Sequence, residues 1–470
     1  MVFNSAAFLF LFLPAAVLLH RLVPGRTGKA LLLGALSVVF YAFGGLAQVP
    51  VLLLAFAWNY VFGLLLAREG GPRRLAAALA VTGDLALLGV YKYLGFLLHT
   101  VGLSSPWSPT ALPMGISFFT FHAVSYIVDV YRDRSLAQKR PDALFLYIAF
   151  FPRLIAGPIL PWRQAAAEPF GHDVSAEDTA AALRRFVRGL AKKLLIAESA
   201  AAAANGVFAL PAAQVGTALA WLGAVSYSLQ IYFDFSGYSD MAIALGKLFG
   251  FDFPENFDHP YAARTLTAFW RRWHMTLNRW FVDYLYIPLG GSRRGAAVTL
   301  RNTMIVFFFT GLWHGAGWTF ILWGLWHGAL VCLERLNTGL VGALEKSAPG
   351  RAALHLYTLL AVVTGFVMFR ADSVAQGLAL LGRMFVYRGA DLAGAVALRR
   401  ILTPGRGVML LLGAVFSLPL RPRLSARLEA RLGGPVSVEA AADALALAGL
   451  AVCVLALAGG GFTPFIYQQF

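Results

Sequence analysis

One histidine of this chain stands out as a candidate for chemistry. His314 lies in the apolar run 310–318, beside Trp313 and two glycines, with no carboxylate within ten residues on either side. Burying a polar group costs free energy unless the group is hydrogen-bonded or used. A desolvated imidazole is neutral near pH 7, so His314 is a candidate general base, with a structural hydrogen bond as an equal alternative.

The tripeptide Trp-His-Gly around His314 recurs at His327, thirteen residues further on. In one continuous helix the two histidines would be separated by ~20 Å and would not share a site. The glycines at 315 and 317 make a break between them possible, and they also let a ligand or another backbone approach His314 closely.

A second candidate, His274, ends the segment Phe-Trp-Arg-Arg-Trp-His at 269–274. Paired arginines and tryptophans predict an amphipathic helix at a membrane interface. Arg271 and Arg272 either reach lipid phosphates or hold the phosphates of a nucleotide-bearing donor, and the sequence favours neither alternative.

Two further polar clusters interrupt apolar stretches. His122 lies near Ser117 and Ser125, a spacing that favours shared hydrogen bonds between helices over catalysis. The segment Asp-Phe-Ser-Gly-Tyr-Ser-Asp at 234–240 either caps a helix that begins near Ser239 or lines a polar entrance.

The chain lacks the sequence signatures of several common chemistries. It contains no nucleophile elbow, no Walker loop, no dinucleotide glycine motif and no His-Glu-x-x-His motif. Its two cysteines, Cys332 and Cys453, form no disulfide framework or metal-thiolate spacing. We therefore expect neither a bound metal nor a covalent serine.

Composition places these residues in a membrane. The 470 residues are 59% hydrophobic and 13% charged, with a mean hydropathy of +0.68, which predicts an all-α polytopic membrane protein. The basic residues that give the net charge of +16 lie between apolar runs, as expected for loops beside anionic lipid. This distribution does not favour nucleic-acid binding.

The pattern of charges predicts the first spans. Residues 6–20 form a first span rather than a removed signal peptide, and the uncharged run 30–67 forms two more around a turn at 44–50. Basic loops follow alternate spans, which gives five spans by about residue 131 and an extracytoplasmic N-terminus. Residues 144–160 are broken by prolines and favour a re-entrant or buried segment, while 194–210 and 217–233 predict a helical pair.

Several of these stretches together resemble the membrane-bound O-acyltransferase (MBOAT) family. The resemblance covers 1–14, 113–132, 150–161, 233–294 and 301–328, and is strongest at 269–274 and 311–315. It implies transfer of an acyl group from a thioester to a hydroxyl. His314 matches the invariant histidine of the family, and His274 matches the second functional histidine of its bacterial branch.

The resemblance also implies an architecture. We expect one integral-membrane domain over 1–470, with a catalytic core at about 110–335 and C-terminal helices at 354–470. Roughly 10–13 transmembrane helices, with re-entrant and interfacial helices, would surround a central tunnel. Residues expected to contact the donor or line the tunnel are Arg271, Arg272, Trp273, Trp313, Asp234, Ser236, Tyr238 and His122.

Within the family, this chain is similar to members that acetylate polysaccharides such as alginate. The resemblance therefore implies the substrates to expect here. Those members use acetyl-CoA as a cytoplasmic donor, carry no bound cofactor, and pass acetyl across the bacterial inner membrane to an extracytoplasmic partner acetyltransferase. Membrane lipids and the polysaccharide are the other expected partners.

The alternative is a transporter or flippase for a lipid-linked or glycan substrate. Such a protein is expected to contain half-repeats with matching interruptions. The broken segments at 150 and 311 share no pattern.

Overall fold

The computed structural model describes residues 1–103, 112–389, 391–420, 435–459 and 465–466. All regular structure in these residues is helical, which confirms the predicted all-α class. They form two compact units: unit 1 comprises Met1–Phe186, Tyr238–Glu255 and residues 465–466, and unit 2 comprises Val187–Gly237 and the described residues of 256–463.

The helices that begin in unit 1 are mostly short or interrupted. They are α1 (Leu13–Leu22), α2 (Arg26–Ala42), α3 (Val49–Ala67), α4 (Arg73–Leu88), α5 (Leu94–Thr100), α6 (Ile116–Arg132), α7 (Pro141–Ala149), α8 (Phe151–Leu154), α9 (Trp162–Ala165) and α10 (Ala176–Ala191). Wider π turns, at Phe8–Phe12 and Gly89–Tyr93, precede α1 and join α4 to α5.

The remaining helices are α11 (Glu198–Phe208), α12 (Thr217–Leu248), α13 (Leu266–Trp270), α14 (Met275–Phe281), α15 (Ala296–His314), α16 (Trp318–Leu336), α17 (Thr338–Glu345), α18 (Ala348–Arg370), α19 (Val374–Phe385), α20 (Leu392–Ile401), α21 (Pro404–Phe416) and α22 (Pro435–Ala458). Further π turns lie at Lys192–Ala197 and Val282–Tyr286. The continuous helix α12 contributes residues to both units. The predicted pair at 194–210 and 217–233 is confirmed.

Within the described residues, five helices are long and apolar enough to cross a membrane: Leu46–Ala67, Arg73–Thr100, Ala296–His314, Ala348–Arg370 and Ser437–Ala458. The predicted first span corresponds to a shorter apolar helix, Phe8–Leu22. The turn at 44–50 is confirmed between α2 and α3. The serines and prolines at 104–109 also predict a turn, and that stretch lies outside the described residues. The total of 10–13 spans, the tunnel and the single-domain organisation stay predictions.

The proline-broken segment 144–160 is buried inside unit 1, as its sequence predicts. Phe151, Leu154 and Ile155 are almost fully inaccessible, and the buried Arg153 guanidinium donates to the Tyr147 carbonyl. Gly115 begins α6 at φ +72°, and a Cβ there would lie 2.3 Å from the Leu154 carbonyl oxygen. A left-handed backbone in contact with another backbone therefore requires glycine at this position.

Asp84, a carboxyl group within an apolar helix, is accounted for by a neighbouring helix. Its Oδ1 accepts a hydrogen bond of 2.7 Å from Asn59 Nδ2 on α3, and both residues are buried. Lys92, the nearest basic residue in the sequence, donates to the Ser117 hydroxyl at 3.2 Å. The Asp84 carboxyl group thus faces the protein interior and is hydrogen-bonded there by Asn59.

The glycines around His314 separate two helices that pack closely in unit 2. Helix α15 ends at His314 and α16 begins at Trp318, which confirms the break that the sequence allowed. A Cβ on Gly311 would lie 2.4 Å from the Phe320 carbonyl oxygen, and one on Gly324 would lie 2.3 Å from that of Phe307. Another backbone thus approaches closely at Gly311 and Gly324. At Gly315, beside His314, the close neighbour is instead the Phe320 side chain, 2.2 Å from an added Cβ.

Gly311→Ala is expected to destabilise the protein by about 1–3 kcal/mol, because the added methyl group must push α15 away from α16. The matched control is Gly342→Ala on α17, where an added Cβ meets nothing within 4 Å. Thermal unfolding in detergent should show a lower Tm for the first variant only. Equal Tm values for both variants would contradict this account of the helix contact.

Candidate active site

His274 lies in a turn between two short helices. The predicted amphipathic helix over 269–274 is wrong: α13 ends at Trp270, α14 begins at Met275, and His274 adopts φ 44° and ψ 54°. The start of α13 is anchored by the buried Glu334 carboxylate, which accepts from the amides of Leu266 (2.6 Å) and Thr267 (2.9 Å). A carboxylate that accepts from the first amide groups of a helix caps it, so Glu334 fixes where α13 begins.

Contacts with Asn256 define the tautomer of His274. The Asn256 side-chain atom that meets the Thr276 amide (3.3 Å) must be an oxygen, because an amide N–H can only donate. That oxygen also lies 3.1 Å from His274 Nδ1, so Nδ1 carries the proton. His274 Nε2 is therefore left with a lone pair, and it has no hydrogen-bond partner among the described residues.

His274 and His314 line the same small cavity in unit 2. The cavity volume is about 50 Å³, and its other lining residues are Trp270, Trp273, Leu277, Asn278, Phe281, Val306, Phe307 and Thr310. This space accommodates about three water molecules. It therefore admits only the reacting end of a larger molecule.

Aromatic rings hold both imidazoles in place. The His274 ring is edge-on to Phe235 at 4.6 Å, and Trp313 lies 6.0 Å from His274 and 4.7 Å from His314. The His314 ring is also edge-on to Trp323 at 5.1 Å. Both histidines are nearly inaccessible, at 2% and 3% exposure, so the cavity favours neutral rings.

Burial lowers the pKa of His274 to about 3, so its ring stays neutral in the folded protein at any pH above that value. The unfolded chain takes up this proton near pH 6.5, so the stability that His274 contributes is lost as pH falls below 6.5. We expect the Tm of wild type to fall more steeply between pH 6.5 and 4.5 than that of His274→Gln. Parallel Tm curves would contradict the buried neutral ring.

His327, the second copy of the tripeptide, lies next to this group without lining the cavity. Its ring is edge-on to Trp270 at 5.0 Å and to Trp323 at 5.3 Å. A Cβ on Gly365 of α18 would come within 2.5 Å of His327 Nε2, so the histidine packs directly on that helix. The helix break brings both tripeptides into contact with one indole, that of Trp323.

The other residues of the 269–274 motif divide by burial. Trp273 is 2% exposed and stacks on Phe269 at 5.5 Å, which makes it part of the aromatic packing as well as of the cavity wall. Arg271 is exposed and Arg272 half-buried. Their expected contact with donor phosphates stays a prediction.

The segment 234–240 is not a helix cap. It lies within α12, so the prediction of a helix beginning near Ser239 is wrong. In unit 2 the Asp234 carboxylate is 2.7 Å from the Lys193 ammonium, which also lies 2.8 Å from Glu198. Ser236 accepts from Lys192 at 3.4 Å. Buried charge pairing on a continuous helix explains these polar residues better than capping does.

Two sequence candidates belong to unit 1. Tyr238 stacks on Phe3 at 4.8 Å and is fully buried. His122 is also fully buried, edge-on to Tyr147 at 5.3 Å, and neither ring nitrogen has a hydrogen-bond partner among the described residues. The hydrogen bonds predicted between His122, Ser117 and Ser125 are wrong, because Ser125 donates to the Phe121 carbonyl at 2.7 Å and Ser117 accepts from Lys92.

Asn256 and Glu334 are the residues that sequence reasoning missed. Both are remote in sequence from the residues that they contact. Asn256 lies 18 residues before His274, and Glu334 lies 68 residues after Leu266. The one local signal is a carboxylate at the end of an otherwise apolar helix, at 334. Such a group requires a buried partner when the helix end is packed.

The all-helical fold agrees with the comparison to known proteins. Residues 114–352 match the model of the membrane-bound O-acyltransferase family, and this chain belongs to that family. It is a multi-pass membrane protein and an O-acyltransferase by class.

Full-length relatives refine the comparison. The chain is 37% identical to the probable alginate O-acetylase AlgI of Pseudomonas putida and 38% identical to that of Azotobacter vinelandii, each over 100% of both chains. It is 33% identical to the peptidoglycan O-acetyltransferase of Helicobacter pylori, over 83% of this chain and 81% of the relative.

Proposed function

We propose that this protein is an O-acetyltransferase that moves acetyl from a thioester donor toward a hydroxyl group of a polysaccharide. The observation that carries the proposal is the small cavity shared by His274 and His314, in a chain that belongs to an O-acyltransferase family. A neutral imidazole is the group best suited to take a proton from a hydroxyl near pH 7.

The proposed reaction uses the two histidines in different roles. His274 accepts a hydrogen bond at Nε2 from a second, non-reacting hydroxyl of the polysaccharide and so orients the acceptor, since Asn256 holds Nδ1 in the donor state. His314 removes the proton of the reacting hydroxyl as its oxygen attacks the thioester carbonyl carbon. The tetrahedral intermediate collapses with cleavage of the C–S bond, and the departing thiolate takes the proton from His314.

The oxyanion of that intermediate needs a hydrogen-bond donor. Trp270 lines the cavity, and its buried indole N–H has no acceptor among the described residues. We assign this group to the oxyanion. Trp270→Phe should lower the transfer rate by ~10²–10³-fold with KM little changed, as measured by steady-state kinetics of thiol release. A rate within threefold of wild type would remove Trp270 from the mechanism.

The donor we propose is acetyl-CoA. Arg271 and Arg272 directly precede the cavity residues Trp273 and His274, and a guanidinium group pairs well with phosphate oxygens. The relatives support a polysaccharide acceptor, with alginate first and peptidoglycan second. We further propose the bacterial inner membrane, an extracytoplasmic N-terminus and an extracytoplasmic partner acetyltransferase, as the loop charges favour.

A doubly labelled donor tests transfer against transport. Purified protein in proteoliposomes receives acetyl-CoA that carries one isotope on acetyl and another on the coenzyme, with polysaccharide and the partner acetyltransferase on the opposite side. Transfer predicts acetyl label in alkali-labile esters while the coenzyme label stays with the donor. Movement of both labels together, or of glycan without ester formation, would contradict the proposal and favour a transporter.

A further inference from the structure

Unit 1 contains a second cavity that acyl transfer, as proposed above, does not use. Its volume is about 330 Å³, within the range of about 300–1,000 Å³ typical of small-molecule sites. The end of α1, the start of α2 and the residues around the start of α10 form its walls. The lining residues are His20, Arg21, Lys29, His172, Val174, Ala176, Thr179 and Leu248.

The polar wall of this cavity is basic. Arg21 and Lys29 bring two permanent positive charges, and His20 and His172 bring two imidazoles. The Arg21 guanidinium makes one hydrogen bond within the described part of the chain, a contact of 3.4 Å to the Thr179 hydroxyl. A guanidinium has five N–H donors, so most of its capacity remains for a ligand.

Three carboxylates lie near this wall, and none of them is buried against its two cations. Glu168 is 3.4 Å from the His172 imidazole, and its side chain is 65% exposed. Asp173 is 4.0 Å from both Arg26 and Lys29 and its side chain is 85% exposed, so solvent screens these contacts. Asp178 is held by Lys247 at 2.8 Å and by the Ser175 hydroxyl at 2.7 Å. An anion in the cavity would therefore meet uncompensated positive charge.

The apolar part of the cavity gives it a defined floor. Leu248 is buried, and the His20 ring is 7% exposed and packs edge-on against Phe249 at 5.3 Å. Arg21 and Lys29 stand at the ends of α1 and α2, the two helices that this floor supports. The site thus combines a packed apolar floor with two cations, an arrangement suited to binding a phosphate group.

We propose that this cavity binds the phosphate group of a ligand, with Arg21 as the bidentate donor and Lys29 as the second cation. The phosphate can come from an acidic phospholipid head group or from a soluble phosphate ester such as the nucleotide part of a coenzyme. The inference rests on unit 1 alone and stands apart from the acyl-transfer proposal.

Binding of two probes tests the site and identifies the source. Full-length protein in detergent is dialysed against labelled adenosine 3′,5′-bisphosphate, and native mass spectrometry measures retention of phosphatidylglycerol relative to phosphatidylcholine. Both assays compare wild type with Arg21→Gln/Lys29→Gln. The control is Arg68→Gln/Arg74→Gln, which removes the same charge from two exposed arginines after α3. We expect the cavity variant, and not the control, to bind one probe about 10–100-fold more weakly.

Thr179→Glu gives a second route to the same result if the double variant does not fold. It keeps both cations and places a carboxylate in the cavity, so it should weaken the same probe. Loss of bisphosphate binding identifies a soluble ligand, and loss of phosphatidylglycerol retention identifies a lipid. If neither probe binds wild type, or if cavity and control variants weaken binding equally, the proposal is overturned. Because the assays measure binding only, either result leaves acyl transfer untested.

Discussion

His314→Ala should lower the rate of acetyl transfer by ~10²–10⁴-fold, the usual loss when a general base is removed. The loss should appear in kcat, because the base acts on the bound hydroxyl and not on donor binding. The measurement is acetyl transfer from labelled acetyl-CoA in membranes that contain equal amounts of wild type and variant.

Two controls separate this loss from an effect on folding. His99→Ala removes an imidazole from an exposed position and should keep full activity. His314→Gln keeps much of the side-chain volume among the rings of Trp323 and Phe369, and should stay inactive while retaining the Tm of wild type. Activity in His314→Ala within threefold of wild type would remove this histidine from the chemistry.

Asp234→Leu should destabilise the protein by about 3–5 kcal/mol, because it removes one partner of a buried ion pair. Asp234 and Lys193 each expose 3% of their side chains, and their charged atoms are 2.7 Å apart. Without Asp234, the Lys193 ammonium retains the half-buried Glu198 as its remaining acidic partner among the described residues. Thermal unfolding in detergent measures the effect as a large fall in Tm.

The double variant Asp234→Leu/Lys193→Met distinguishes a charge effect from a packing effect. Replacing both charges with apolar groups removes the buried cation that has lost Asp234, so the double variant should be more stable than Asp234→Leu. The cycle also includes the single variant Lys193→Met. If the loss of stability in the double variant equals the sum of the losses in the two single variants, α12 depends on the shapes of these side chains and not on their pairing.

The sequence predicts those parts of the fold that depend on local patterns. An uncharged run bounded by basic residues locates helices α2 and α3, and glycines locate the breaks at 44 and 315. His314 is recognisable because an imidazole without a nearby carboxylate is rare in an apolar run. These signals lie within about twenty residues of the feature that they predict, and sequence reasoning covers that distance well.

The shape of the site depends instead on long-range contacts. The motif at 269–274 has the composition of an amphipathic helix, but α13 ends at Trp270 and His274 lies in a turn. The backbone on either side bonds to side chains remote in sequence: Glu334 accepts from the Leu266 amide before the motif, and Asn256 accepts from the Thr276 amide after it. The polar residues at 234–240 resemble a cap, yet Lys193 satisfies Asp234 within a continuous helix. In each case a buried partner remote in sequence overrides the local preference.

The most direct test of the central claim is a comparison of single-turnover acetyl transfer in His274→Gln, His314→Ala and the double variant. If both histidines act on one bound acceptor in one cavity, the double variant should be no more than about threefold slower than the slower single variant, because residues that act as a unit are not additive. Losses that multiply in the double variant would show that the two histidines act independently, and would contradict the shared site.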